Sequence, residues 1–302
     1  MRIAVAVFVL AMVSVFCVPP ARTGELEWYR WKESPDISFG GFVDEMHPVR
    51  VIASEDGTDR RIIYGDRVGQ IHAVRFKEGR FQEEWVSETL KSSVAGVFVA
   101  DIDADGKLEI VGYSEFGDIV FYKADDYRVI WRSTDDQYTT ISAMVVTNVD
   151  EDPQLELVFC GEAVADVSGY QPGVRGESQE EMERQREAEI SRLYVYDCKH
   201  LFLEWESEPG LSARSIIVGD LDDDGILEIV LNTGFVVDAT YRQVEWRFPD
   251  GFGQKIGYAD VDGDGIPELI GEYESPTRPR HFLRFFDVDQ QTESFLSTRK
   301  GR

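Results

Sequence analysis

VAGVFVADIDADGKLEIVGYSEFGDIVFYKADDYRVIWRS, Val94–Ser133, contains four short apolar runs separated by polar turns. VAGVFVA, LEIVGYS, DIVFYKA and YRVIWRS each have strand length and are rich in β-branched and aromatic residues, and none has helical spacing. The order returns as ISAMVVT, LELVFCG, RLYVYD and FLEWES, and again as RSIIVG, LEIVLN, GFVVDA and RQVEWRF. Two landmarks keep the same rhythm. Acidic loops begin at 101, 148, 220 and 260, with gaps of 47, 72 and 40 residues. Trp85, Trp131, Trp205 and Trp246 are spaced by 46, 74 and 41. A four-stranded unit of about 45 residues repeated along one chain is the pattern of a β-propeller, because one sheet alone leaves its faces uncovered and neighbours must stack on it. A first unit fits from about Phe42 to Trp85 and a last from Ile256 to Phe295, giving an all-β propeller of about five four-stranded blades. ELEWYRW (Glu25–Trp31) matches the fourth strand of a unit. It is expected to close the ring on the last blade, beside or in place of the strand at Thr292–Ser297, which removes an open sheet edge. An incomplete sixth blade is the competing count.

The loop between the first and second strands is DIDADGKLE (Asp101–Glu109), DLDDDGILE (Asp220–Glu228) and DVDGDGIPE (Asp260–Glu268), and in weaker form NVDEDPQLE (Asn148–Glu156). Hard cations such as calcium take six to eight oxygen ligands, and carboxylates on alternate residues of a tight loop supply them. The expected ligands are Asp101, Asp103, Asp105, the Lys107 carbonyl and Glu109 in the first loop. They are Asp220, Asp222, Asp224, the Ile226 carbonyl and Glu228 in the third, and Asp260, Asp262, Asp264, the Ile266 carbonyl and Glu268 in the fourth. The loop at Asn148 offers Asn148, Asp150, Asp152 and Glu156, but Asn148 replaces the first acid and Pro153 the glycine. Three calcium sites and a weaker fourth are therefore expected. In the first blade ASEDGTDRR (Ala53–Arg61) puts Arg61 at the closing position, and no metal is expected there. A solvated Asp-Gly turn is the plain alternative for a single copy. Like charges about 4 Å apart repel by roughly 1 kcal/mol even at the dielectric of water, so a cluster without a cation should hold protons to higher pH.

The chain has 302 residues, 31 basic and 57 acidic, with a formal charge of −26 and 43% apolar residues. That apolar share is enough for a core. The charge opposes phosphate backbones and anionic lipid heads, so nucleic acid is not expected as a partner. Met1-Arg2, the apolar run Ile3–Val18 and Pro19-Pro20 read as an export signal over residues 1–21. Residues 22–302 then form a single propeller domain that is secreted, periplasmic or at the cell surface. Phe16 before Cys17 argues against a lipid anchor, and no later segment is long and apolar enough to span a membrane.

The acidic loops resemble the FG-GAP/VCBS repeats of the integrin α-subunit propeller and of exported bacterial proteins, over most of the chain after residue 21. The resemblance implies calcium in the loops and a role in adhesion or recognition. The tryptophan strands, as in VVDATYRQVEWRF, also resemble quinoprotein-type repeats, whose blades dock through tryptophan. Those enzymes need eight blades and a longer chain, so no quinone is expected. The tryptophans are read as packing between blades rather than as sugar platforms.

In an up-and-down blade the second-to-third turn and the fourth-to-first connector lie on the face opposite the acidic loops. An insertion of about 30 residues, 162–191, falls there. Its second half, SQEEMERQREAEIS, has a capping box at Ser178 and Glu181 and predicts a helix of about three turns. Long loops on a rigid scaffold often bind partners, so a protein or glycan ligand is expected on this face. Antiparallel pairing places Cys160 opposite about Leu193, some five residues along the hairpin from Cys198, and a disulfide between them is not expected. No G-x-S-x-G, H-E-x-x-H or phosphate-binding glycine loop occurs, the four histidines are scattered, and His72 is read as an ordinary strand residue. The leading expectation is a non-enzymatic, exported, calcium-binding recognition module. The alternative is a calcium-dependent polysaccharide lyase or hydrolase on the same scaffold, and a structural module beside other domains is a third.

Overall fold

A computed structural model describes residues 47–53, 60–77, 79–135, 137–150, 152–167, 178, 186, 189–274 and 281–294. All belong to one compact unit, Asp44–Arg302. The export segment, ELEWYRW and most of the expected insertion helix lie outside the described residues. Of the insertion, Val164–Val167 forms a helical turn, and Arg186, Glu189 and Ile190 are helical.

The described chain forms five four-stranded antiparallel sheets, each a simple meander in sequence order. The first comprises β1 (His47–Ala53), β2 (Arg60–Gly65), β3 (Ile71–Lys77) and β4 (Arg80–Val86). The second comprises β5 (Val94–Ala100), β6 (Glu109–Ser114), β7 (Ile119–Lys123) and β8 (Val129–Arg132). The third has β9 (Tyr138–Thr147), β10 (Glu156–Ala163), β11 (Arg192–Asp197) and β12 (Phe202–Glu206). The fourth has β13 (Ile216–Gly219), β14 (Glu228–Leu231), β15 (Phe235–Asp238) and β16 (Val244–Arg247). The fifth has β17 (Lys255–Ala259), β18 (Glu268–Glu274), β19 (His281–Asp287) and β20 (Thr292–Ser294). β20 pairs with β19, so the last sheet has a fourth strand at Thr292–Ser294.

The second strand of a sheet is covered on both faces, which is why it reads as a continuous apolar run; every residue of β6 is buried. Apolar clusters join successive sheets. Ile63 and Ala73 meet Val97 and Ile110; Val111 and Phe121 meet Phe159 and Tyr194. Val158 and Val195 meet Ile229 and Val237; Val230 and Trp246 meet Leu269 and Phe286. Gly271 on β18 allows the closest approach: a Cβ there would lie 1.6 Å from the Phe252 carbonyl oxygen of the connector before it.

The tryptophans occupy one register position. Trp85, Trp131, Trp205 and Trp246 lie opposite Ala73, Phe121, Val195 and Val236, and a bulge follows each pair. The turn between the third and fourth strands holds one residue in the left-handed region in every sheet: Gly79, Tyr127, Leu201, Arg242 and Gln291. In three sheets its side chain bonds or stacks on the preceding sheet's fourth strand. Tyr127 stacks on Trp85 with centroids 4.8 Å apart, Arg242 lies 6.0 Å over Trp205, and Gln291 Nε2 donates to the Glu245 carbonyl at 3.4 Å. Leu201 and Trp131 pack in one cluster. A left-handed non-glycine residue is costly by itself, and the contact with the neighbouring sheet offsets that cost.

Cys160 pairs in register with Leu193, and both Cys160 and Cys198 are free and buried. Burial also raises both thiol pKa values. Neither should react with a thiol reagent in the native protein, and both should react after denaturation, as peptide mass spectrometry would show. Native labelling of either would contradict this packing. His72 is less ordinary than its alternating sequence context suggests. It lies buried on β3, with Nδ1 2.9 Å from Glu83 Oε1 and Nε2 3.1 Å from Asp66 Oδ2, and it stacks on Tyr64 at 4.7 Å.

Candidate metal centre

Each acidic loop is built by the same few bonds. The closing glutamate opens the second strand of its sheet, and its Oε2 accepts the backbone N–H of the loop's second residue. The distances are 3.0 Å for Glu109 from Ile102, 2.8 Å for Glu156 from Val149, 2.6 Å for Glu228 from Leu221 and 2.8 Å for Glu268 from Val261. The loop is thus pinned by the residue that the sequence assigns as its last ligand. The sixth position is glycine with φ of 86°, 86° and 99° at Gly106, Gly225 and Gly265. Its N–H donates to the first aspartate, Asp101, Asp220 or Asp260. The aspartate at the fifth position accepts from the N–H of the seventh residue: Lys107 to Asp105 at 2.9 Å, Ile226 to Asp224 at 2.7 Å and Ile266 to Asp264 at 2.9 Å.

These bonds gather carboxylates. Ligand-type oxygens of Asp101, Asp103 and Glu109 lie within 4.8 Å of one another, as do those of Asp150, Asp152 and Glu156, of Asp220, Asp222 and Glu228, and of Asp260, Asp262 and Asp264. Asp105, Asp224 and Glu268 stand outside these groups. The loop at Asn148 is closed differently. The Asn148 amide donates to the carbonyls of Asp152 and Gln154, while Gln154 bonds both oxygens of Asp152 through its backbone N–H and side-chain amide.

The closing glutamates are buried, and Glu109, Glu156 and Glu228 are 0–1% exposed. Burial pushes the carboxyls of Glu156 and Glu228 up to about 8, because removing a carboxylate from water disfavours its charge. Glu156 Oε1 and Asp220 Oδ1 are buried without a hydrogen-bond partner.

Lys123 was not evident as a site residue. It lies opposite Glu109 in the β6–β7 register, and its Nζ is 2.8 Å from Glu109 Oε1, 3.2 Å from Asp105 Oδ2 and 3.4 Å from Asp103 Oδ2. Burial works against the ammonium, but the bonds to Glu109 and Asp105 outweigh it and raise its pKa. The same ammonium opposes the rise that burial causes at Glu109. The matching positions opposite Glu156 and Glu228 are Asp197 and Asp238, which cap their turns through the N–H groups of His200 and of Thr240 and Tyr241. The sequence signal is the last residue of the third strand, lysine in DIVFYK and aspartate in RLYVYD and GFVVD. In the first sheet Arg61 is buried at the closing position. It donates to the Ala124 carbonyl and, at 3.2 Å, to the Tyr127 hydroxyl. Where the other sheets turn a carboxylate into their own loop, the first sheet sends a guanidinium to its neighbour.

No family model and no curated protein matches this chain. Solved structures similar to it are propeller-like proteins. Sqt1 of Saccharomyces cerevisiae has a TM-score of 0.42 and 14% identity, over 81% of this chain and 71% of that one. BamB of Moraxella catarrhalis has a TM-score of 0.44 and 15% identity, over 81% of this chain and 62% of that one. The five meander sheets make this protein a β-propeller.

Proposed function

We propose that the protein is an exported, non-enzymatic β-propeller whose acidic loops take calcium and whose opposite face recognises a protein or glycan ligand. The observation that carries the metal reading is the buried, unpartnered Asp220 Oδ1, in the loop that also gathers Asp222 and Glu228. An unsatisfied buried polar atom costs about 1–3 kcal/mol, more when charged, and a bound cation would remove that cost. The donors are all oxygen, which suits a hard ion. Asp220, Asp222 and Glu228 would hold it in the fourth sheet, Asp101, Asp103 and Glu109 in the second, and Asp260, Asp262 and Asp264 in the fifth. The Asn148 loop fits least well, because its amide and Gln154 already fill it. The resemblance of these loops to FG-GAP/VCBS repeats supports the same reading. Export rests on residues 1–21, and among the described residues no helix is long and apolar enough to cross a membrane.

Calorimetric titration of the chelated protein, with melting recorded alongside, tests the proposal. Uptake of three or four ions at roughly 10⁻⁴–10⁻³ M should raise the melting temperature by mass action. No uptake and no shift would leave the aspartates as solvated turns. Lys123 should compete with calcium for the second sheet's loop. Lys123→Met is therefore expected to tighten calcium there about tenfold and to lower stability in chelator. Unchanged affinity would place the ammonium outside the site. The alternative of a polysaccharide lyase or hydrolase needs acid and base groups converging opposite the acidic loops. A cleft of about 310 Å³ at that end of the sheets is lined by Glu115, Arg186 and Arg214, with no histidine, lysine or tyrosine among its described lining residues. Turnover of any polysaccharide would favour that alternative.

A further inference from the structure

A second cleft, of about 500 Å³, opens between the fourth and fifth sheets, and its lining includes Asn232, Thr233, Asp250, Gln254, Tyr273 and Glu274. Asn232 and Thr233 lie in the turn from β14 to β15, Asp250 and Gln254 in the connector from β16 to β17, and Tyr273 and Glu274 at the end of β18. The acidic loops at Asp220 and Asp260 enter β14 and β18 at their other ends, so the cleft lies on the opposite face. Its volume falls within the range of small-ligand sites.

The frame of the cleft is satisfied internally. Asn232 Oδ1 accepts the backbone N–H groups of Arg214 at 2.8 Å and Ser215 at 3.1 Å, and Nδ2 donates to the carbonyls of Gly253 at 2.9 Å and Gln254 at 3.3 Å. One side chain therefore ties two connectors to one turn. Thr233 Oγ1 donates to the Ser212 carbonyl. Gly253 has a φ of 134°, and a Cβ there would lie 2.5 Å from the Glu272 carbonyl oxygen, so the connector passes as bare backbone. Asp250, Gln254 and Glu274 are exposed. Gln254 Nε2 donates to Glu274 Oε2 at 3.3 Å, which orients both and leaves the amide oxygen, one amide hydrogen and the carboxylate lone pairs for a ligand. Tyr273 is 40% exposed. The Arg284 guanidinium lies over its ring, 5.8 Å from the centroid, and bonds Glu293 through Nε and Nη2, both at 2.8 Å. Those bonds and, after them, the charge of Asp250 raise the Arg284 pKa. The cation position on Tyr273 is thus filled from within the fifth sheet, and the open part of the ring is left for an apolar contact.

We propose that this cleft binds an uncharged saccharide, with the C–H face of one sugar ring on Tyr273 and its hydroxyls bonded to Asp250, Gln254 and Glu274. The inference rests on the reading of this face as the recognition face and names its ligand as a neutral glycan. A sugar hydroxyl donates and accepts, so it serves both the carboxylates, which only accept, and the amide, which does both. An aromatic ring beside polar groups suits a ligand that is apolar on one face and hydroxylated at its edge. A neutral ligand needs no local field of either sign. An acidic sugar would meet two carboxylates and the net charge of −26. A basic side chain of a protein partner would meet Arg284, already seated on Tyr273. Asp250 and Glu274 both stand in water, unlike the shielded general acid of a glycosidase, so the sugar is bound and not cleaved.

The test is an NMR titration of the protein in calcium, reading the Tyr273 ring and Gln254 side-chain amide resonances. Maltotriose, cellotriose and mannotriose are the probes, trigalacturonate is the acidic control, and N-acetyl-lysine N-methylamide represents a basic protein side chain. A saturable shift of both resonances with at least one neutral trisaccharide is expected, with the sugar recovered intact. Tyr273→Ala should weaken that binding at least tenfold. Asp250→Ala, at an exposed position, should weaken it at least threefold without lowering the melting temperature. The proposal fails if none of the three sugars gives a saturable shift, if Asp250→Ala binds as wild type does, or if trigalacturonate binds as tightly. Tighter binding of the lysine probe would overturn it in favour of a basic protein partner, and cleavage of the sugar in favour of an enzyme. The calcium-induced melting shift, read in the same samples, reports on the acidic loops separately. A normal calcium shift with a silent cleft would remove this inference and leave the metal reading standing.

Discussion

Replacing Trp246 by alanine should lower the stability of the protein by about 3–5 kcal/mol, the range for deleting a buried aromatic side chain. Trp246 is 8% exposed. Its ring lies 5.2 Å from that of Phe252 and 6.4 Å from that of Phe286, so it bridges the fourth and fifth sheets. Phe248, Phe252 and Phe286 also pack on one another at 5.0–5.9 Å. These three rings cannot collapse into the vacated space without breaking their own contacts, which places the expected loss toward the upper end. At about 2–4 °C per kcal/mol for a chain of this size, melting should fall by roughly 6–20 °C. Val244→Ala, two residues away on the same strand and 47% exposed, should stay within about 0.5 kcal/mol. A loss below about 1 kcal/mol for Trp246→Ala in thermal or urea melts would mean that the fifth sheet does not share a core with the fourth.

Glu228→Gln is expected to have opposite effects with and without calcium. In chelator, the wild-type carboxyl is buried with its pKa raised to about 8, as is that of Glu156. Between the unfolded value near 4.5 and the folded value near 8 the native state holds more protons than the unfolded state. Stability therefore falls as pH rises through that window. Glutamine keeps an oxygen to accept the Leu221 N–H and carries no charge, so the variant should melt higher than wild type at pH 8 in chelator and have a flatter pH profile. In millimolar calcium the order reverses, because the ion needs the carboxylate and the variant should bind it at least tenfold more weakly at that loop. The crossing of the two melting curves is the readout. A variant less stable than wild type in both conditions would show that Glu228 acts only by pinning its loop.

Much of the scaffold was legible along the chain. Strand length, β-branched content and the 46- and 41-residue tryptophan intervals report local conformation and a repeating environment, and these are properties of the sequence alone. The closing glutamates and the pairing of Cys160 with Leu193 follow from the same regularity, since a meander leaves little freedom of register. His72 was read as ordinary because alternation reports which face a residue takes, not which carboxylates meet it there.

What the sequence by itself determined is the unit: four strands, a turn with glycine at the sixth position, acids at alternate places and a tryptophan strand. What only the tertiary structure decided is how one unit's side chains serve another. Lys123 reaches the loop at Asp101 because strand pairing places it opposite Glu109, 14 residues along the chain. Arg61 leaves its own loop for Ala124, 63 residues on. Tyr127 and Arg242 settle on the tryptophans of the preceding sheets. The cleft at Tyr273 joins residues from Asn232 to Glu274. The physical reason is one of range. Backbone preference and hydrophobic alternation act over a few residues and are written in order along the chain, whereas these contacts exist only after the burial of each sheet against the next has brought distant residues within hydrogen-bonding and stacking distance.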